Sequence, residues 1–397
     1  MTARPGGNVP LIAVVGPTGS GKSALALALA EHLGSEIISV DAMQFYRGME
    51  IGTAAPNPEE QRRVPHHFVS FLKPDEEMTA GIYQEQARAR LALINGAGSG
   101  PEDPPPSFPR KWESRTRQQN PETALDPRLH GDDEPFAHAG SVGSPQITET
   151  GRTAVAAGGS GMYVSALIDG IFDGPGEDPA IRAWLHDEAA RRGNACLLER
   201  LREVDPEYAA RITGPRDLVR IVRALEVYEI AGRPFSELHR EHRERTPSLP
   251  CLQFALDYPN RADLYARIDA RVLRMIGAGW VAEVERLLDA GYGPQLDRLK
   301  ALGFREIAAA LRGEQSLDDA VAAAQMHHRR YAKRQLSWFR ADPRIHWIAA
   351  GPGSNVESQL AELLRVVDAR TEGLEAPPVD LHRFLAGRTG AAGDRHG

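Results

Sequence analysis

The chain is poor in cysteine and in long apolar runs, and each shortage removes a class of protein. Only Cys196 and Cys251 occur, far apart and without CxxC spacing, which argues against a disulfide framework and a structural zinc site. The first apolar stretch, 11–16, falls far short of the ~20 residues that span a bilayer, and is too short for a signal sequence. A soluble, cytoplasmic protein without membrane attachment is therefore expected. Positive charge is not in excess either: the formal net charge is −7, so any nucleic-acid contact must rest on a local concentration of arginine and lysine. With 397 residues, 42% of them hydrophobic, the chain can still bury a substantial core, in two domains or one elaborated domain.

What is present reads first as strand, loop and helix. Residues 11–15 are aliphatic and β-branched, 16–21 are turn-rich, and 22–33 repeat apolar residues at helical spacing. A second strand, 36–40, ends at Asp41, and a third, 153–157, ends in Gly158 and Gly159. Strands alternating with helices predict an α/β fold with a parallel, P-loop NTPase-like sheet.

Further along, 96–150 is rich in Pro, Gly and Ser without a hydrophobic period, which predicts a disordered insertion between two parts of the core, 1–95 and 151–177. Within it, 107–134 reads like the translated product of a genomic repeat element; a functional lid is the alternative. Residues 178–213 predict a helical subdomain with Leu185, Leu197, Leu198, Leu201 and Tyr208 as its buried stripe. The core is expected to resume over 214–350, with one long amphipathic helix at 264–290. A helix at 356–367 and a flexible tail at 387–397 close the chain.

The strongest chemical signal is Gly16-Pro17-Thr18-Gly19-Ser20-Gly21-Lys22-Ser23, which matches GxxxxGK(S/T) between a strand and a helix. Glycines let backbone N–H groups turn inward on a phosphate, the helix N-terminus adds positive potential, Lys22 brings a mobile charge and Ser23 a hydroxyl for Mg²⁺. Asp41, at the end of a neighbouring strand, can take a proton from an attacking nucleophile, or it can simply cap the next segment. The third strand ends in glycines rather than in the metal-holding Asp of an ordinary P-loop NTPase. Those glycines would admit a bulky partner, with Ser160 and Tyr163 able to hydrogen-bond it.

Two basic runs follow. Arg216, Arg220 and Arg223 fall at i, i+4 and i+7 and would share a helix face suited to a diphosphate, or a solvated, ion-paired one. Residues 327–340, HHRRYAKRQLSWFR, contain no acidic residue and interleave cations with Tyr331, Trp338 and Phe339, a pattern that suits RNA phosphates and unpaired bases. The pair His66-His67 has no companion Cys or second His pair, and adjacent residues point apart, so metal binding is not expected there.

Taken together, GPTGSGKS, SVDAMQFYRGMEIGTAAP, VPHHFVSFLKPDE, GGSGMY, DLVRIVRALEVY, ALGFREI and RRYAKRQLSWFR resemble the tRNA dimethylallyltransferase family, collinearly over most of 10–347 apart from the insertion. The resemblance implies that the loop holds the diphosphate of dimethylallyl diphosphate rather than hydrolysing ATP. It further implies transfer of the dimethylallyl group to N6 of adenosine 37 in the tRNA anticodon stem-loop, with pyrophosphate leaving and Mg²⁺ between Ser23 and the diphosphate. Asp41 would then be the general base, with Ser160 beside it, while Thr18, Lys22 and Arg220 or Arg223 stabilise the leaving group. Asp41, Ala42, Met43, Gln44, Ser160, Val219, Arg220, Ile221, Val222, Arg223, Ala301, Leu302, Gly303, Phe304, Arg305 and Glu306 match stretches that contact tRNA in the family. By the same resemblance the 178–213 helices grip the anticodon stem, and the enzyme is expected to be a monomer. Two departures stand out: Ala55 where the family usually has Lys, and Ser160 in place of Thr. A P-loop small-molecule kinase, an isopentenyltransferase acting on free adenine nucleotides and a non-catalytic RNA-binding protein remain the competing readings.

Overall fold

The computed structural model describes residues 9–96, 152–172, 174–245, 248–299 and 301–371; the 96–150 insertion, beyond its first residue, and the 387–397 tail lie outside them. Six strands form one fully parallel sheet: β1 (Leu11–Val15), β2 (Ile37–Ser39), β3 (His66–His67), β4 (Ala154–Gly158), β5 (Cys251–Asp257) and β6 (Ile345–Ala349), in the order β3-β2-β4-β1-β5-β6. Every residue of β1 is buried, as expected of a central strand covered on both faces. Alternate residues of β1 serve different cores: Leu11, Ala13 and Val15 face one apolar cluster, and Ile12 and Val14 the other. From β1 the chain crosses to β2 on one side and later reaches β5 on the other, so the crevice at the carboxyl edge opens beside β1.

A third apolar cluster is separate from the sheet. Leu185, Leu197, Leu198 and Leu201 pack there as expected, with Tyr208 against them, but so do Ile221, Val222, Leu225 and Phe235. Five helices, Pro179–Arg192, Asn194–Val204, Pro206–Ala209, Leu218–Ala231 and Phe235–Arg245, therefore share this core, and the boundary expected at residue 213 would cut through it.

The helix expected over 264–290 is two, Arg261–Gly277 and Trp280–Asp289, broken where Gly279 adopts φ 99°. The break lets the apolar stripe continue while the axis turns. Leu264 and Ile268 pack in the cluster on one side of the sheet, and Val272, Met275, Trp280, Val284 and Leu287 in the cluster on the other. Helix Arg261–Gly277 thus links the two sheet faces. The last helix, Val356–Thr371, runs longer than expected.

Candidate active site

The loop that leaves β1 has Gly16, Gly19 and Gly21 at φ 130°, 78° and 101°, conformations that penalise any side chain. Gly21 caps helix Lys22–Leu33 without a side-chain hydrogen bond, so the first amides of the helix and its dipole present an anion site. Thr18, Ser20 and Lys22 are buried, whereas Ser23 is exposed at the mouth. Burial pushes the Lys22 ammonium down to about 8; the charge of Arg271 acts in the same direction and the Asp41 carboxylate opposes them. At neutral pH the loop therefore carries a positive charge that its surroundings compensate poorly.

Asp41 follows β2, Ser160 follows β4 and the loop follows β1; because these strands are neighbours, the three converge on one crevice. Asp41 Oδ1 accepts the Met43 N–H at 3.1 Å, so the carboxylate does cap the next segment. Ser160 Oγ accepts the Ala42 N–H at 3.2 Å. Behind them stands Tyr331, whose phenol is raised to about 12 by burial and then by the Asp41 charge, with opposing hydrogen bonds to Ser160 and Gln335. The Gln335 carboxamide bridges the Thr18 N–H (2.8 Å) and the Gly159 carbonyl (2.9 Å).

The glycines after β4 do not leave room for a partner as expected. A Cβ on Gly158 would lie 2.5 Å from the Val40 backbone, one on Gly159 2.1 Å from Gln335 Nε2, and one on Gly161 2.3 Å from the Trp338 indole nitrogen. The protein fills that space itself. Tyr163 likewise faces inward, donating to the Met78 carbonyl at 2.7 Å.

Other expected residues divide in the same way. Gly214-Pro215 interrupts the chain, so the helix begins only at Leu218 and Arg216 lies outside it; the expected three-arginine face does not form. Arg220 pairs with Asp217 (3.0 Å) and lies 5.6 Å over the Tyr208 ring, while buried Arg223 bonds Glu226 and the Pro175 carbonyl, each at 2.9 Å. Val219 is partly buried, but the Ile221, Val222, Ala301 and Phe304 side chains serve the cores. Arg305 is exposed and Glu306 half-buried. In the basic run, Arg329 pairs with Asp269 and Arg340 with Asp257 (3.0 Å), whereas Arg330, Lys333, Arg334 and Trp338 remain exposed on helix Leu317–Arg340. His66 bonds the Val64 carbonyl and His67 bonds Glu36.

Helix Arg261–Gly277 is expected from its apolar stripe, but its arginines are not expected at the site. Arg267, Arg271 and Arg274 have the same i, i+4, i+7 spacing that drew attention to 216–223, and two of them touch the loop. Arg267 Nε donates to the Gly19 carbonyl at 3.2 Å, and Arg271 Nη1 to Thr18 Oγ1 at 3.1 Å.

Comparison with known proteins fits this arrangement. A family model described as IPP transferase matches residues 44–101 and 136–342. The chain belongs to the IPP transferase family. Between the two matched stretches, 102–135 is left over, inside the Pro-rich interval. The tRNA dimethylallyltransferase of Geobacter sulfurreducens is 39% identical over 348 residues, covering 88% of this chain and 94% of its own. That of Syntrophobacter fumaroxidans is 40% identical over 343 residues, covering 86% and 84%. Among solved structures, the tRNA isopentenylpyrophosphate transferase of Bacillus halodurans aligns with a TM-score of 0.57 at 28% identity, over 91% of this chain and 97% of the other. A eukaryotic dimethylallyltransferase solved acting on tRNA aligns with a TM-score of 0.68 at 20% identity, a likeness of fold. In this IPP transferase Ala55 closes the turn after helix Glu50–Thr53, its N–H bonding the Glu50 carbonyl at 2.9 Å. Among the described residues no helix is long and apolar enough to cross a membrane.

Proposed function

We propose that this protein transfers a dimethylallyl group from dimethylallyl diphosphate to N6 of adenosine 37, beside the anticodon of tRNA. The observation that carries the reading is the convergence of an anion-binding loop after β1 and the Asp41 carboxylate after β2 on one sheet edge, with only β4 between the two strands, together with relatives named for dimethylallyl transfer to tRNA. Backbone amides of 16–21, Lys22 and the helix N-terminus hold the diphosphate. The allylic C–O bond breaks, the N6–carbon bond forms, pyrophosphate leaves with the bonding pair, and the N6 proton passes to Asp41. Electrostatic stabilisation of the departing charge is the largest expected contribution.

Mg²⁺ fits the donor set, since the exposed Ser23 hydroxyl supplies one hard oxygen and the diphosphate the others. Bound there, it would offset charge on the leaving group. The nearby Asp257 carboxylate is taken by Arg340.

The adenine must leave its stack to reach Asp41. Exposed Arg330, Lys333 and Arg334, with Trp338 beside them, offer the phosphates and bases of an anticodon loop a basic, aromatic surface. The test is incubation with unmodified tRNA and either labelled dimethylallyl diphosphate or γ-labelled ATP. Label in tRNA from the allylic donor is expected; phosphoryl transfer from ATP instead would overturn the reading.

A further inference from the structure

Arg271 enters the site from a helix that carries no motif, yet it reaches the centre of the loop. The guanidinium can only donate, so Thr18 Oγ1 is the acceptor in their 3.1 Å contact. The Thr18 proton must then point elsewhere. Its backbone is fixed as well, because the Thr18 N–H donates to Gln335 Oε1 at 2.8 Å. The helix packs closely on the loop: a Cβ on Gly19 would come within 2.7 Å of Ile268 Cγ1, and Arg267 donates to the Gly19 carbonyl.

We propose that Arg271 is a positioning residue for the leaving group: by occupying an acceptor lone pair of Thr18 it turns the Thr18 hydroxyl proton toward the departing pyrophosphate, and it keeps a permanent positive charge beside Lys22. This rests on the prenyl-transfer reading and deepens it. A threonine hydroxyl free to rotate would spend part of its time donating elsewhere; one whose oxygen already accepts from an arginine is preorganised as a donor. The like charges of Arg271 and Lys22 are poorly matched until an anion arrives, which makes the empty loop receptive to a polyanion.

The charged and titratable groups facing these two side chains are Asp41 beyond β2, Arg274 on the same helix, and His328 on helix Leu317–Arg340, with Tyr331 facing Asp41.

The experiment compares wild type, R271Q, R271K, T18V and the T18V/R271Q double variant in prenyl transfer at pH 7, with calorimetric binding of inorganic pyrophosphate. Expected are a fall in kcat of about 10²-fold in R271Q and in T18V, a double variant no slower than the slower single, and partial recovery in R271K. Pyrophosphate should bind more weakly to R271Q and with near wild-type affinity to R271K. Losses that multiply fully in the double variant, or unchanged pyrophosphate affinity in R271Q, would overturn the proposal, and a misfolded R271Q leaves R271K and T18V to decide through kcat and pyrophosphate affinity. A wild-type enzyme that binds pyrophosphate but transfers no prenyl group would sink the underlying reading instead.

Discussion

Gln335 and Thr18, 317 residues apart, are joined by a 2.8 Å hydrogen bond from the loop amide to the carboxamide oxygen, while the carboxamide nitrogen donates to Gly159. One side chain therefore locks the phosphate loop to the end of β4. Replacing it with leucine leaves a buried N–H and a buried carbonyl without partners. Gln335→Leu is expected to cost about 2–4 kcal/mol, read as a lower midpoint in chemical denaturation, and to weaken pyrophosphate binding. A variant of unchanged stability and affinity would show that the loop is held by other means.

Gly159 tests the same junction from the other strand. Its missing side chain is the space that Gln335 fills, with Nε2 at 2.1 Å and the Gly16 carbonyl at 3.2 Å from a Cβ placed there. Gly159→Ala must displace the carboxamide, and overpacking of this kind costs roughly 1–3 kcal/mol. Because the displaced group holds Thr18, transfer activity should fall more steeply than stability. Intact kcat in a folded Gly159→Ala protein would contradict this.

These two positions also show what the sequence reveals and what it hides. The phosphate loop is legible because eight contiguous residues carry it, and Asp41 because it ends an apolar run. The parallel sheet follows from the alternation of strands and helices. Arg271 and Gln335 are not legible: they meet Thr18 across 253 and 317 residues, Arg271 from a helix whose apolar spacing reads simply as core and Gln335 from within a run that draws notice only for its cations and aromatics. Pattern also misleads where packing decides the outcome. The 264–290 stripe looks like one helix because both segments share a period, and only the turn at Gly279 divides them. Glycines after β4 look like room for a ligand, but side chains from helix Leu317–Arg340 take the space.

Lys22 makes the empty protein less stable than it need be. Its pKa is about 8 against an ordinary value of 10.5, so between those pH values the unfolded chain holds a proton that the folded chain has lost. Stability then rises with pH across that window, and below pH 8 the full penalty, about 3 kcal/mol, remains. Lys22→Met should accordingly raise the stability of the ligand-free protein at pH 7 by roughly 1–3 kcal/mol while abolishing transfer. Thermal unfolding of both proteins from pH 7 to 10.5 should show the gap closing as pH rises; a less stable Lys22→Met protein at pH 7 would contradict the account.

Asp41 separates binding from chemistry. In Asp41→Asn the amide oxygen can still accept the Met43 N–H, so the turn after β2 survives, but the side chain can no longer take a proton from the attacking amine. The rate of prenyl transfer should fall by about 10²–10⁴-fold. Pyrophosphate should bind as well as before or more tightly at pH 7, because a carboxylate that repels it is gone. Above pH 8 the order should reverse: Asp41 supports the charged form of Lys22, so without it the lysine deprotonates at lower pH and the loop loses its mobile cation sooner. Calorimetry at pH 7 and pH 9, run beside single-turnover transfer, separates the two effects. Transfer at the wild-type rate in Asp41→Asn would remove the carboxylate from the mechanism altogether.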